Sequence, residues 1–512
     1  MVYATSFLAG AALMGLEMAG SRVLAPVFGS SIFVWGSLIG VVLAALSVGY
    51  YAGGYLADRR PEPGPLSLLL ALSGAWISLI PLLARQALPV LTSAFPGMAG
   101  PLVSSFALFF IPSLFLAMVS PWCMRLLISS VEKAGRSAGL LYAVSNAGSI
   151  AGTFATSFYL IPRIGTESIL RWTSAMLFAL ALFLAWMGRS KGTCTAALAL
   201  ALAVVVSGGS LFGAARETGV IYEVQSLYHH IYVLDRGDVR ILRFDNAPQS
   251  GMYKERPYDS SYPYPDYFHL ALCMKDDIQD VLMIGLGAGM APKRFRRDYP
   301  DMKIDVVEID PEVVRVARDY FGFPGDYEVK VYVEDGRMYL KETEKQYDLI
   351  IVDAYYADAI PFHLTTVEFY ELAKQRLKPG GILASNMIGA LAGPQSKLFC
   401  SMYLTLSRVF PATYLFALDN RPGTEGQYRN IEVFALLPAP AGGGATGDAG
   451  IEWPRLTRQD FQARANALSQ GRVTMPALVR MAGDLYEKQV SKEGAVLLTD
   501  DHAPVDSLLH LY

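Results

Sequence analysis

Four short runs in the second half of the chain hold residue types able to bind and orient a small polar ligand. Gly285-Leu286-Gly287-Ala288-Gly289 is a glycine-spaced turn, where missing side chains let backbone approach a ligand. Glu308-Ile309-Asp310 follows, with Glu308 19 residues after Gly289. A carboxylate at that interval accepts hydrogen bonds from ribose hydroxyls. Glu334-Asp335-Gly336 and Asp353 add further acids. Taken singly, each has an ordinary explanation. The glycine turn serves NAD, FAD or plain packing equally well, and a lone acid is a solvated strand end. Taken together they outline a cleft. Diphosphate ligands favour a helix N-terminus with few acids nearby. Acids at Glu308, Asp335 and Asp353 instead suit a nucleoside carrying positive charge. S-adenosylmethionine, a sulfonium, answers that description.

Those runs need elements to hold them. From Val220 the pattern reads as short strands to residue 250, with turns at Arg236-Gly237 and Asn246-Ala247-Pro248. Strands at 281–284, 304–307, 329–333, 348–352 and 381–387 then alternate with helical patterns, one of them opened by Pro311. Alternation of this kind implies an α/β doubly wound, Rossmann-like sheet, which binds ligands beyond the strands' C-terminal ends. Each acid above closes one of these strands.

The first 215 residues differ in kind. They hold 11 Lys/Arg and 5 Asp/Glu, against 32 and 41 in the remainder. So few charges exclude a wholly water-soluble protein, a disordered one and a basic nucleic-acid binder. Seven stretches are candidate spans of an α-helical membrane bundle: 3–25, 32–57, 66–91, 102–130, 138–162, 168–187 and 194–214. The first is not a cleaved signal peptide, because Glu17 and Arg22 interrupt its apolar run. Gly36/Gly40, Gly49/Gly53 and Gly148/Gly152 have the spacing that lets helices pack closely in lipid. Glu17 is either an ion-pair partner of Arg22 or a substrate contact. Arg59, Arg60, Lys133, Arg136, Arg189 and Lys191 place the N-terminus inside. Seven crossings then put the second half outside, away from a cytosolic nucleoside. One candidate therefore does not cross, either the charged first or the seventh, broken at Gly208-Gly209. Four cysteines (Cys123, Cys194, Cys273, Cys400), widely spaced, suggest neither a disulfide framework nor a zinc site, and no metal is expected.

Residues 220–437 resemble the spermidine synthases, whose soluble domain is class I methyltransferase-like. Tyr228-His229-His230-Ile231 resembles that family's Tyr-Gln-x-Ile, and Ala247-Pro248-Gln249-Ser250 its Gln-containing turn. Tyr264-Pro265-Asp266 is loosely similar to its Tyr-x-Glu, and the glycine turn, Glu308, Asp335-Gly336 and Asp353 follow in the family's order. The first half, including Glu17 and Arg22, resembles the transmembrane spermidine-synthase-like proteins, as do the loop 353–364 and the acid-rich tail Asp500-Asp501-His502. That tail either folds back over the cleft or forms a plain turn.

The resemblance implies attack by a neutral amine on the carbon beside the sulfonium of a decarboxylated S-adenosylmethionine. An alkylamine has a pKa of about 10.4, so an acid must take its proton. The family's loop supplies Asp-x-x-Asp. Asp353 matches the first acid, Tyr356 stands at the second, and Asp358 or His363 can compensate. His363 serves either as base or in holding the loop shut. The family's glycine turn also carries an acid where this chain has Ala288, which makes the intact donor tolerable. Asp259, Asp266 and Glu255 can form a polyamine groove, although Arg256 lies among them.

The reading is therefore a membrane bundle over 1–215, a small β subdomain over 216–275 and a Rossmann-like catalytic domain over 276–437. A flexible insertion over 438–450 and a helical extension over 451–512 complete it. The expected activity is transfer of an alkyl group, aminopropyl first, from decarboxylated or intact S-adenosylmethionine to an amine. Catalytic candidates are Asp353, Asp358 and His363. Donor-binding candidates are Gly285, Gly287, Gly289, Glu308, Asp335, Gly336, His229 and Gln249. Expected partners are a small amine or lipid substrate and the bilayer, with no nucleic acid and homo-oligomerisation left open. The expected site is the plasma (inner) membrane with the soluble domain toward the cytoplasm. Two alternatives stay open: the same chemistry on a lipid head group, and a non-catalytic transporter or sensor with a nucleoside- or polyamine-binding domain.

Overall fold

The computed structural model describes residues 1–28, 32–95, 97–128, 134–188, 218–325, 327–355, 361–438, 456–470, 475 and 477–509. The chain divides into two units, Met1–Thr218 with Gln225–Tyr228, and Gly219–Val224 with His229–Tyr512.

The first unit is helical: α1 (Val2–Phe28), α2 (Ile32–Arg59), α3 (Pro63–Ala94), α4 (Ala99–Leu127), α5 (Ala134–Phe154) and α6 (Ile161–Met187). Among the described residues, five segments are long and apolar enough to cross a membrane: α1 to α4 and Arg163–Met187 of α6. The candidate at 138–162 is helical but is not among them, since α5 carries Ser145, Asn146, Ser149 and Thr153 among its glycines. It passes into α6 without a loop, through a π-helical turn over Ala155–Leu160, and Gly165 (φ +71°) then breaks the helical path. The candidate at 194–214 lies outside the described residues. A Cβ on Gly148 would meet the Phe7 carbonyl oxygen at 2.0 Å, and one on Gly152 the Ala11 carbonyl oxygen at 2.3 Å, so α1 and α5 touch backbone to backbone. Gly49 and Gly53 pack similarly on α4, whereas Gly36 and Gly40 face open space. Glu17 is buried in this unit, and Arg22 donates to the carbonyl oxygens of Leu227 and Tyr228 in the segment grouped with the helices.

The second unit begins with an antiparallel sheet in the order β1 (Val220–Gln225), β2 (His230–Arg236), β3 (Val239–Phe244), β4 (Ala247–Tyr253) and β5 (Arg256–Ser260). The turn expected at 246–248 falls one residue earlier. Asp245 takes φ +52°, and Ala247 and Pro248 already belong to β4. The main sheet comprises β6 (Asp280–Ile284), β7 (Lys303–Glu308), β8 (Lys330–Val333), β9 (Tyr347–Val352), β10 (Leu377–Gly389), β11 (Ala412–Ala417) and β12 (Arg429–Leu436). Their order is β11-β12-β10-β9-β6-β7-β8. Strands β6 to β10 run parallel, and β12 pairs antiparallel with both β10 and β11. From β6 the chain winds outward through β7 and β8, then returns to the other side of β6 at β9. The β6/β9 boundary is thus the switch point at which doubly wound sheets bind ligands. Separate apolar clusters cover the two faces. Helices at Arg458–Gln470, Ala477–Ala482 and Val505–Leu509 fall within the helical extension expected over 451–512, while residues 439–450 of the expected insertion lie outside the described residues.

Strand β9, which delivers Asp353, is anchored at its start by buried Asp348. This carboxylate accepts from the backbone N–H groups of Gln279 and Asp280 (both 3.0 Å) and pairs with Lys275 (3.0 Å) and Lys378 (2.9 Å). Burial opposes ionisation, but these donors outweigh it and hold its pKa down at about 2. Asp348→Ala takes this carboxylate from two backbone donors and two lysines at a buried strand end. It should lower stability by about 2–4 kcal/mol, read as a shift in the urea midpoint of the second unit's unfolding by circular dichroism.

Candidate active site

A cavity of about 240 Å³ opens at the C-terminal ends of β6, β7, β9 and β10, around the switch point. Gly285 leaves β6 with φ +97°, and a Cβ there would fall 2.1 Å from the Asp353 carbonyl oxygen. No other residue fits. Gly285, Gly287 and Gly336 line the cavity. Gly289 does not. It takes φ +72° at the start of helix Met290–Asp298, and its Cβ would strike the Phe323 ring at 2.5 Å, so it seats the turn on the core. Ala288 is 0% exposed within the apolar cluster. Its methyl belongs to the core, which removes it as a gauge of the donor's tail: a carboxylate at that place would be buried in hydrocarbon.

The acids have distinct surroundings. Glu308 closes β7 and accepts from the backbone N–H of Leu286 (3.0 Å) and of Asp310 (2.9 Å). It therefore clamps the glycine turn while lining the cavity. Burial pushes its pKa up to about 7, with the backbone donors pulling the other way. Asp335 caps helix Gly336–Glu342 by accepting from Arg337 N and Met338 N (both 3.0 Å), and its second oxygen meets His363 Nε2 at 2.9 Å. The His363 hydrogen bond is the main reason its carboxyl sits below the usual range. Both residues line the cavity. The contact gives His363 a loop-holding geometry, reinforced where Arg337 donates to the His363 carbonyl (3.1 Å). Arg337 also forks onto Asp500 of the C-terminal tail (2.7 and 2.5 Å), and Thr366 donates to the same carboxylate (2.8 Å). The tail does turn, through reciprocal backbone bonds between Thr499 and His502, and that turn is fastened beside the cavity rim.

Asp353 stands at the opposite wall. Asn386 of β10 donates to it at 2.8 Å, and Asn430 of β12 donates to the Asn386 side-chain oxygen at 3.0 Å. Burial raises the Asp353 pKa, with Asn386 and Tyr264 partly offsetting it. His229 lies flat on Phe244 at 4.2 Å, and both line the cavity together with Gln249 and Tyr262. Asp358 lies outside the described residues, as does Tyr356. The expected polyamine groove does not reach the cavity. Asp259 is taken up by Arg294 (2.8 Å) and Arg256 (3.2 Å), Glu255 is exposed, and Asp266 is not among the lining residues. Sequence reasoning missed Asn386 and Asn430. They are amides in strand interiors, and only the adjacency of β10 and β12 brings them to Asp353.

The fold and site define a class I methyltransferase-like domain. Within that class, residues 266–419 match the spermine/spermidine synthase domain. The chain is 29% identical over 304 residues to the polyamine aminopropyltransferase of Vibrio vulnificus, covering 57% of this chain and 92% of that one. It is 28% identical over 303 residues to a probable polyamine aminopropyl transferase of Bifidobacterium longum, covering 57% of this chain but 63% of the relative. A crystal structure of a probable spermidine synthase from Corynebacterium glutamicum is similar at 20% identity and a TM-score of 0.39, over 50% of this chain and 94% of that one. Over residues 266–419 the chain is thus similar to the spermine/spermidine synthase domain.

Glu308 generates a pH prediction. Its carboxyl ionises near 7 when folded and near the ordinary 4.5 when unfolded. The unfolded chain therefore ionises first, and this group's contribution to stability falls between pH 4.5 and 7 and is level above. A ribose hydroxyl donating to Glu308 should show the opposite trend, because the ionised form is the better acceptor. Affinity for methylthioadenosine should rise as pH passes up through about 7. Glu308→Gln should flatten that profile and weaken binding about 10–100-fold at pH 8, from a charge-assisted bond of roughly 1.5–3 kcal/mol. Calorimetry across pH 6 to 8 checks both.

Proposed function

We propose that the second unit transfers an aminopropyl group from a decarboxylated S-adenosylmethionine-type sulfonium to an amine. The observation that carries the reading is the cavity at the switch point, where Glu308, Asp335 and Asp353 line one space beside a glycine turn. The relatives named as polyamine aminopropyltransferases support it. Glu308 binds the ribose hydroxyls, the glycine turn lies along the nucleoside, and Asp335 with Gly336 flanks the adenine. His229 and Gln249 close the cavity from the small sheet. Asp353 faces the donor's ammonium and the incoming amine.

The reaction needs the acceptor nitrogen neutral. Asp353 takes its proton, the nitrogen lone pair attacks the carbon next to sulfur, a C–N bond forms, and the C–S electron pair returns to sulfur as a neutral thioether. Burial favours this proton transfer, because it makes Asp353 a stronger base than a solvated aspartate. His363 stays tied to Asp335 at the cavity rim. The five long apolar helices support a membrane-embedded enzyme, with this unit on the cytoplasmic side of the plasma membrane where the donor is available. They also favour a second acceptor class, the amine of a lipid head group.

The test incubates the full chain in detergent with either donor, adding 1,4-diaminobutane or a membrane lipid extract, and follows products by mass spectrometry. Methylthioadenosine and an aminopropylated amine are expected. Asp353→Asn should lower the rate by about 10²–10⁴-fold, the usual worth of a positioned base. Donor binding without release of any spent nucleoside, under every acceptor, would instead make this unit a sensor.

A further inference from the structure

One carboxylic acid, set behind the cavity wall rather than among its lining residues, is left unanswered by the groups described so far. Glu432 lies in mid-strand on β12, 0% exposed, and neither of its carboxyl oxygens has a hydrogen-bond partner among the described residues. Its neighbours Ile431, Val433, Phe434 and Ala435 are apolar and buried, so the acid interrupts a strand that otherwise reads as core. Register sets it directly opposite Asn386 of β10. Opposed residues in an antiparallel pair project from the same face. On that face Asn386 reaches Asp353, and Asn430, two residues before Glu432, reaches Asn386. Asp353, Asn386 and Asn430 all line the cavity. Across the other edge of β12, Glu432 is paired with Phe416 of β11, which brings no charge. The ionisable groups that feel both acids are Tyr264 and Tyr355. Burial and then the charge of Asp353 raise the Glu432 pKa well above the usual range. Two carboxyls in such surroundings do not both ionise without a cation between them. An amine substrate brings one, since an alkylamine is protonated in neutral water.

We propose that Glu432 is the second carboxyl of an ammonium subsite which, with Asp353, recognises the protonated amine of the acceptor at the cavity end lined by Asn386 and Asn430. This rests on the transferase reading above and adds the residue that selects a cationic acceptor. An unpartnered buried acid weakens a fold, so its presence here is explained by a ligand that answers its charge.

The experiment uses the full chain in detergent, saturated with methylthioadenosine, and titrates 1,4-diaminobutane and its uncharged counterpart 1,4-butanediol by calorimetry. Wild type should bind the diamine and not the diol. Glu432→Gln keeps size and shape. It should weaken diamine binding at least tenfold, leave methylthioadenosine affinity within twofold, and melt no lower than wild type. Glu432→Met, which fills the same volume without a polar head, should behave likewise and melt higher. Diamine affinity within threefold of wild type in both variants overturns the subsite, as does a lowered melting temperature in both, which would mark a structural acid. Failure of wild type to bind methylthioadenosine would overturn the transferase reading itself, a result separate from either of these.

Discussion

The site depends on how closely two strand ends approach. β6 and β9 lie side by side at the switch point, and Asp353 N donates to the Ile284 carbonyl at 2.9 Å where they finish. The chain must then diverge, one strand into the glycine turn and the other into the loop that starts with Asp353. Gly285 makes this possible, with a positive φ and no Cβ to collide with the Asp353 carbonyl. Any side chain there would push the strand ends apart. The wall carrying Glu308 and Leu286 would then lose its relation to the wall carrying Asp353 and Asn386. The cavity exists because those walls are a backbone contact apart.

Within that frame one functional group is put to several uses by its surroundings. Glu308 is buried but held by backbone N–H groups, which makes it a fixed acceptor. Asp335 spends one oxygen on a helix cap and the other on His363, so it organises the rim. Asp353 receives the Asn386 amide and is stabilised by Tyr264, yet burial leaves it a stronger base. Glu432 has no donor at all among the described residues. Donors stabilise the ionised form and burial penalises it, and the balance assigns each acid its role. His363 shows the same dependence: an imidazole that could act as a base is committed to a carboxylate twenty-eight residues away in sequence.

The helical unit answers to different physics. Its charges are sparse, its long helices are apolar on most sides, and its closest packing comes from Gly148 and Gly152 meeting α1 backbone. Such close approach maximises van der Waals contact between the helices. Both units bury large apolar side chains, and the helical one adds glycine contacts that bring helix backbones together.

Much of this was legible in the sequence. The collapse of charge in the first 215 residues, the alternation after Val220 and the acids closing successive strands each report a local rule, namely hydropathy, periodicity or strand-end chemistry. Such rules act over a few residues, and β6 to β10 accordingly fall near their expected positions. The structure alone decided whatever depends on non-local pairing. Two antiparallel strands, β11 and β12, attach beside β10 and bring Asn430 and Glu432 to Asp353. Ala288 and Gly289 turn into the core although they sit in the same run as the cavity residues Gly285, Leu286 and Gly287, because the tight turn carries the chain from the cavity wall to the start of a helix packed on the core. The tail at Asp500 meets Arg337 163 residues earlier in the chain. A spacing in sequence specifies which chemistry is carried, but only the register of distant strands specifies which side chains share a cavity.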